Sequence, residues 1–309
     1  MKWKIIKHFS SRNISGFAFQ EVAKEFPEKN PVHLARILAG MVEAGMLRKI
    51  TWDKYHIIPL NANPETYVPD GLQVARYMMQ NREYYLGYAS ALKIHGLTLQ
   101  SASVADQSEA GMSDRLPEKN RSPEKNQSPD RNRLPDRNRL PERVYVVTQK
   151  QVKPAIRSFG QTTCQFILHD DTRFFGFSDM WINQSEKAMV SDLEKTIVDI
   201  ATKPGFCGGI VEVGNAIFRA KERTDHDKLF YYFARNRNKS AKKRFLFLTD
   251  LLGLEWTADH ARMMGELGSG ISLLDPVAAD QGKKISKFGL KMNVDPIDIR
   301  KEVLHNNIS

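Results

Sequence analysis

Cysteine is nearly missing: the 309 residues hold two, Cys164 and Cys207, far apart and outside any C-x-x-C or His/Cys cluster. That excludes a disulfide framework and the usual structural zinc spacing, and makes buried free thiols the expectation. Long apolar runs are missing too, because no stretch approaches the roughly 20 residues that span a bilayer. The start, MKWKIIKHFS, lacks both the apolar region and the small-residue cleavage site of a secretory signal, so a cytoplasmic protein without a membrane partner is expected. There is no Walker A loop, G-x-G-x-x-G, H-E-x-x-H or G-x-S-x-G elbow. No lysine has Asp or Glu two positions before it, which removes one nuclease pattern, and the eight histidines are scattered. No catalytic residue, cofactor or metal-ligand set is nominated. The chain reads as a binder.

Charge of one sign is in excess. The formal net charge is +10, concentrated in two islands. Residues 1–60 carry ten Lys/Arg against five Asp/Glu, and residues 219–244 carry ten against three. Two basic islands point to a polyanionic partner without saying which of them binds it.

Helical periodicity opens the chain. Trp3, Ile5, Ile6 and Phe9 are placed for packing in a first helix, and Phe17 to Phe26 reads as a second, with Phe19, Val22, Ala23 and Phe26 on one face. Asn30 and Pro31 are a cap and a favoured first residue for a third helix running to about Glu43, with Leu34, Ile37, Leu38 and Met41 inward. Met46–Thr51 and Lys54–Ile58 then alternate as a hairpin around Trp52 and Asp53. Three helices and a hairpin follow the plan of a winged helix-turn-helix, in which the third helix reads the major groove and the wing grips backbone. Arg36 is the best base-reading candidate, with His33 and Val32 beside it. Lys29 and Asn30 at the helix start, and Lys49 and Lys54 on the wing, are the phosphate candidates.

Residues 61–71, with Pro64 and Pro69, read as a linker. Leu72–Gln80 and Tyr84–His95 read as two helices, with Tyr84, Tyr85 and Tyr88 as packing residues or, less in keeping with their spacing, a stacking platform for bases. His95 reads as a helix-end cation. Residues 105–142 contain a proline-rich, charge-balanced six-residue repeat (RLPEKN, RSPEKN, QSPDRN, RLPDRN, RLPERV), expected to be a disordered insert. Val144–Thr148, Thr163–His169 and Thr172–Phe177 suggest a small sheet, and Lys287–Asn293 a later strand. Further helices are expected near Lys228–Arg235, Ala241–Leu254 and Ala258–Leu267. The second island, RNRNKSAKKR at 235–244, is expected between helices as a solvated turn or as a docking surface built from Arg235, Arg237, Lys239, Lys242, Lys243 and Arg244.

Val190–Ala220 reads as a helical hairpin. Ser191 and Glu194 have capping-box spacing, Leu193, Ile197, Val198 and Ala201 form one stripe, and Lys203-Pro204-Gly205 stops the helix. Asp192, Glu194, Lys195 and Asp199 are read as caps and surface ion pairs.

The wording of this hairpin, S-D-L-E-K-T-I-x-D followed by P-G and G-G-I-x-E-V, resembles the C-terminal region of AbiEi-type antitoxins of type IV toxin–antitoxin systems. YYLGYASALKIHGL (with Ser90, Ala91, Leu92, His95, Gly96 and Leu97 in the matching pattern), RVYVVT, KRFLFLTDLLGL and KISKFGLKMNVD extend the resemblance over most of the chain outside the insert. It implies an α+β protein: an N-terminal winged helix-turn-helix over 1–60, then a mixed, mainly helical antitoxin domain with a small sheet over 61–104 and 143–309. It also implies promoter DNA with inverted repeats as one partner. A cognate nucleotidyltransferase-type toxin would be the other, commonly neutralised without a stable complex. A ligand-responsive winged-helix regulator without a toxin, and a nucleic-acid-processing enzyme with a winged-helix targeting domain, stay open as alternatives.

Overall fold

The computed structural model describes residues 1–79, 82–98, 142–254 and 258–308. The repeat read as a disordered insert lies outside them. The fold is α+β, with one antiparallel and two mixed sheets among the described residues, and among those residues no helix is long and apolar enough to cross a membrane.

The first 58 residues close their own core. Helices α1 (Lys2–Ser10), α2 (Phe19–Glu25) and α3 (Pro31–Glu43) pack against an antiparallel sheet of β1 (Gly16–Ala18), β3 (Lys54–Ile57) and β2 (Leu47–Lys49), in that order. Ile5, Phe9, Phe17, Val22, Leu34, Leu38, Met41 and Ile57 form the apolar interior. Phe17 is not the start of a helix, as its spacing suggests. It pairs with Tyr55 across the sheet, so helix α2 begins only at Phe19, where Glu21 Oε2 accepts from Ala18 N at 2.6 Å. Trp3 is not a packing residue either. Helix α1 buries Ile5, Ile6 and Phe9 and leaves the indole 59% exposed.

The sheet expected to be small has six strands, ordered β6 (Ile156–Phe159), β7 (Thr162–Leu168), β5 (Glu142–Thr148), β4 (Tyr84–Leu86), β9 (Lys187–Ser191) and β8 (Phe177–Trp181). β5 runs parallel to β7, and β4 parallel to β9. Tyr84 and Tyr85 therefore belong to a central strand rather than a helix, and helix α5 (Tyr88–Ile94) starts only after Gly87. Strand alternation sorts the two faces. Tyr84, Leu86, Val144 and Val146 join the core under helix α4 (Gly71–Met79). Tyr85, Tyr145 and Val147 join the larger core under the later helices. The run Thr172–Phe177 is mostly a turn. Asp170 Oδ1 accepts from Thr172 N and Arg173 N at 3.1 and 3.2 Å, which bends the chain before β8.

Helices α6 (Leu193–Thr202), α7 (Ile210–Ala220), α8 (His226–Asn236), α9 (Lys239–Leu252), α10 (Ala258–Gly265) and α11 (Pro296–Ile308) build the rest. They sit with a small sheet of β10 (Ser272–Leu273), β12 (Leu290–Met292) and β11 (Lys283–Ile285). α11 carries no clear apolar periodicity and escaped the sequence reading. The α6–α7 hairpin has the expected ends but a different cap. Ser191 is the last residue of β9 and is buried, so the cap is Asp192, whose Oδ1 accepts from Lys195 N at 2.8 Å. Glu194 turns away from the helix start, accepting from Asp225 N at 3.0 Å and pairing with Lys228 Nζ at 2.9 Å. Gly209 enters α7 at φ 105, and a Cβ there would meet the Asp275 carboxylate at 2.8 Å. That carboxylate accepts from Ile210 N, which explains the glycine.

Candidate nucleic-acid interface

Helix α3 is built as expected. Pro31 occupies its first turn, Asn30 Oδ1 accepts from Val32 N at 2.8 Å, and Leu34, Leu38 and Met41 are fully buried. That orientation puts Val32, His33 and Arg36 on the exposed side, with Val32 69% exposed. Lys29 and Asn30 are exposed at the helix start, and Lys49 is exposed on β2. No hydrogen bond or ion pair among the described residues engages the Arg36 guanidinium. Six of the seven nominated residues therefore reach solvent.

Lys54 does not. It lies on the central strand of the three-stranded sheet, pairs with Ala18 and is buried, and burial pulls its ammonium below the ordinary lysine range. The hairpin tip instead exposes Trp52, 81% accessible, which the charge-led reading passed over. Arg48 is committed elsewhere, donating from Nη2 to Pro64 O and Tyr67 O at 2.8 and 3.0 Å.

The second basic island is not one surface. Arg235, Arg237 and Lys239 are exposed, while Lys242, Lys243 and Arg244 are buried. α9 starts at Lys239, so the last three cations sit in its first turns and point in different directions. Lys242 pairs with Glu266 at 2.8 Å, Lys243 donates to Gly270 O, and Arg244 reaches the end of α6. Arg244 Nη1 donates to Ala201 O at 2.9 Å, Nε to Leu274 O at 2.9 Å and Nη2 to Leu273 O at 3.1 Å. Desolvation brings even this guanidinium down to about 10. It caps a helix C-terminus from a neighbouring element.

A second polar constellation lies under α6, and the surface-pair reading of Lys195 and Asp199 is corrected by it. Both are almost fully buried, at 1% and 2% exposure, and they pair with each other one helical turn apart. Tyr85 Oη donates to Asp199 Oδ2 at 3.0 Å, so its oxygen must accept from His169 Nδ1–H, also at 3.0 Å. His169 Nε2 is then the unprotonated nitrogen and accepts from Tyr88 Oη at 2.9 Å. Donation runs from Tyr88 through His169 and Tyr85 to Asp199, and Lys195 donates to Asp199 from the other end. Burial lowers Lys195, which Asp199 opposes, and pushes both tyrosines well above their ordinary value. A base-stacking platform of Tyr84, Tyr85 and Tyr88 is ruled out, because all three are buried. His95, read as a helix-end cation, is also buried. Desolvation lowers its pKa, and its Nε2 donates to Ser191 O at 2.8 Å.

Burial drives His169 and His56 each down to about 4 from 6.5. The folded chain therefore binds fewer protons than the unfolded chain between those values. Stability from the neutral rings is complete above pH 6.5 and is lost as pH falls towards 4, with a slope on the order of 1.4 kcal/mol per pH unit for each histidine. Urea midpoints from pH 7.5 to 4.5 should fall accordingly, and His169→Gln should flatten the curve. An unchanged slope in that variant would show that His169 is not neutral in the fold.

Among the described residues no group of three or more His, Cys, Asp or Glu side chains is placed to hold a metal ion. Cys164 is buried and Cys207 half-buried, both free. An open groove of about 270 Å³ runs between α8 and α10, lined by Phe230, Tyr231 and Met263 with Asp227, Arg262 and Glu266. The chain matches no protein-family model and no curated protein. It is similar to the crystal structure of the RV2827C protein from Mycobacterium tuberculosis, with a TM-score of 0.56 and 15% sequence identity over 97% of this chain and 92% of that one. At that identity the two share a fold. The likeness carries no activity across.

Proposed function

We propose that the protein is a DNA-binding antitoxin of the AbiEi type, with residues 1–58 acting as a winged helix-turn-helix on promoter DNA. The observation that carries the DNA half is the outer side of α3, where Arg36 has no partner among the described residues and stands beside exposed Val32 and His33. Lys29 at the helix start and Lys49 on the adjoining hairpin are both exposed. A planar guanidinium on an exposed helix face suits a base edge, and lysines at a helix start and on a wing suit phosphates. The antitoxin half rests on the ordered resemblance from YYLGYASALKIHGL to KISKFGLKMNVD. Its partner is a nucleotidyltransferase-type toxin, neutralised in the cytoplasm with or without a stable complex. The groove between α8 and α10, small for a ligand site, does not favour the ligand-sensing alternative.

Binding to the chain's own promoter duplex, followed by fluorescence anisotropy, tests the DNA half. Arg36→Ala should weaken binding by about 1–3 kcal/mol and relax base preference at one position. Lys29→Ala and Lys49→Ala should weaken all sequences alike, each lowering the salt slope by about 1. Binding that ignores all three substitutions would place the interface elsewhere. Co-expression with the adjacent open reading frame tests the other half: a toxic neighbour that the full chain fails to neutralise would end the antitoxin reading.

A further inference from the structure

Glu186 sits in the turn between β8 and β9, and its side chain is buried at 4% exposure. Its carboxylate is surrounded by donors from two distant parts of the chain. Oε1 accepts from Ser15 Oγ at 2.8 Å, from Ser15 N at 3.3 Å and from Tyr77 Oη. Oε2 accepts from Gln73 Nε2 at 2.9 Å, and Arg76 Nη1 stands 4.0 Å from Oε1. Burial alone would raise this carboxyl, but the bonds from Tyr77, Gln73 and Ser15 outweigh it and hold the group below its ordinary value.

The surroundings are closed to match. A Cβ on Gly16 would lie 2.7 Å from the Tyr77 ring. His56 stacks on Tyr67 at 5.7 Å and shares a 2.8 Å hydrogen bond with its hydroxyl. Arg48 holds the backbone of Pro64 and Tyr67, so residues read as a linker are strapped to the first unit. A flexible tether requires none of this. A desolvated carboxylate persists only where several donors meet it, and here the donors come from both sides of the junction.

We propose that Glu186 locks the N-terminal unit and the six-stranded sheet into one body, so that a load on α3 is transmitted to the second domain. The transmission half rests on the DNA-binding reading, and the lock itself does not. The test is relaxation of backbone amides in the uniformly labelled full chain, for the wild type, Glu186→Ala and Glu186→Gln. In the wild type residues 5–57 and 142–250 should share one tumbling time. In Glu186→Ala the transverse rates of 5–57 should drop below those of 142–250, and Glu186→Gln, which keeps an acceptor for Ser15 and Tyr77, should restore the common value. If Glu186→Ala does not fold, Ser15→Ala with Tyr77→Phe removes donors from the two sides and should separate the rates in the same sense. Equal rates in a folded variant that lacks these bonds overturn the lock.

Added promoter duplex should slow both halves of the wild type but only 5–57 of Glu186→Ala. Slowing of both halves in that variant overturns transmission through Glu186. If the duplex slows neither protein, the DNA reading falls and the lock is judged on the first measurement alone.

Discussion

Asp199→Ala should cost about 3–5 kcal/mol of stability, the range for removing one partner of a buried ion pair. The carboxylate is the only anion in the chain Tyr88–His169–Tyr85–Asp199–Lys195, and its two oxygens take the Lys195 ammonium and the Tyr85 hydroxyl. Alanine leaves both donors in an interior where Lys195 is 1% exposed. Lysine can shed its proton, and desolvation already biases it that way, so part of the cost becomes pH-dependent and shrinks at high pH. Urea denaturation at pH 7 and pH 9.5 measures both effects. The double variant Lys195→Met with Asp199→Leu, which removes both charges, should recover most of the loss. A single-variant cost below about 1 kcal/mol would mean that water reaches the pair, because that is the range of an exposed ion pair.

Arg244→Met should be the next largest loss, about 3 kcal/mol. Hydrogen bonds to a charged donor contribute roughly 1.5–3 kcal/mol each, against the relief of no longer burying a cation. Methionine fills the volume but leaves Ala201 O, Leu273 O and Leu274 O without their donor, and with it the C-terminal end of α6. Arg244→Lys should rescue little, since one ammonium cannot span three carbonyls that a planar fork reaches together. Calorimetric melting of the three proteins decides this, and a lysine variant that melts with the wild type would overturn the account.

These two positions also mark where sequence reading stops working. The N-terminal unit was legible because its signals are local. Asn30, Pro31 and the spacing of Leu34, Leu38 and Met41 all refer to one helix, and the exposed side with Arg36 follows by subtraction. Lys242, Lys243 and Arg244, adjacent in the chain, suggest a solvated turn or a docking surface in the sequence alone. Successive residues on a helix face different directions, so one found Glu266, one Gly270 and one the end of α6. Tyr84–Leu86 failed for another reason. Three residues are too few to show a period of two, and the neighbouring strands that make them a strand lie far along the chain. Glu186 carried no signal, because its meaning depends on Ser15 and Tyr77 arriving at the same place.

The position of β4 has a consequence for how the chain is made. Leu86 pairs with Val146 on one side and with Val190 on the other. Synthesis at about 5–20 residues per second delivers its second partner roughly 5–20 seconds after Leu86 itself. The N-terminal unit, whose core is complete by Ile57, can fold on emerging from the ribosome. The central strand of the large sheet can pair with β5 once Val146 is made, but its other edge stays open until Val190 arrives. Nascent chains halted before Val190 should therefore show a folded first unit and an aggregation-prone second, and chaperone dependence should track the delay between residues 86 and 190 rather than overall length.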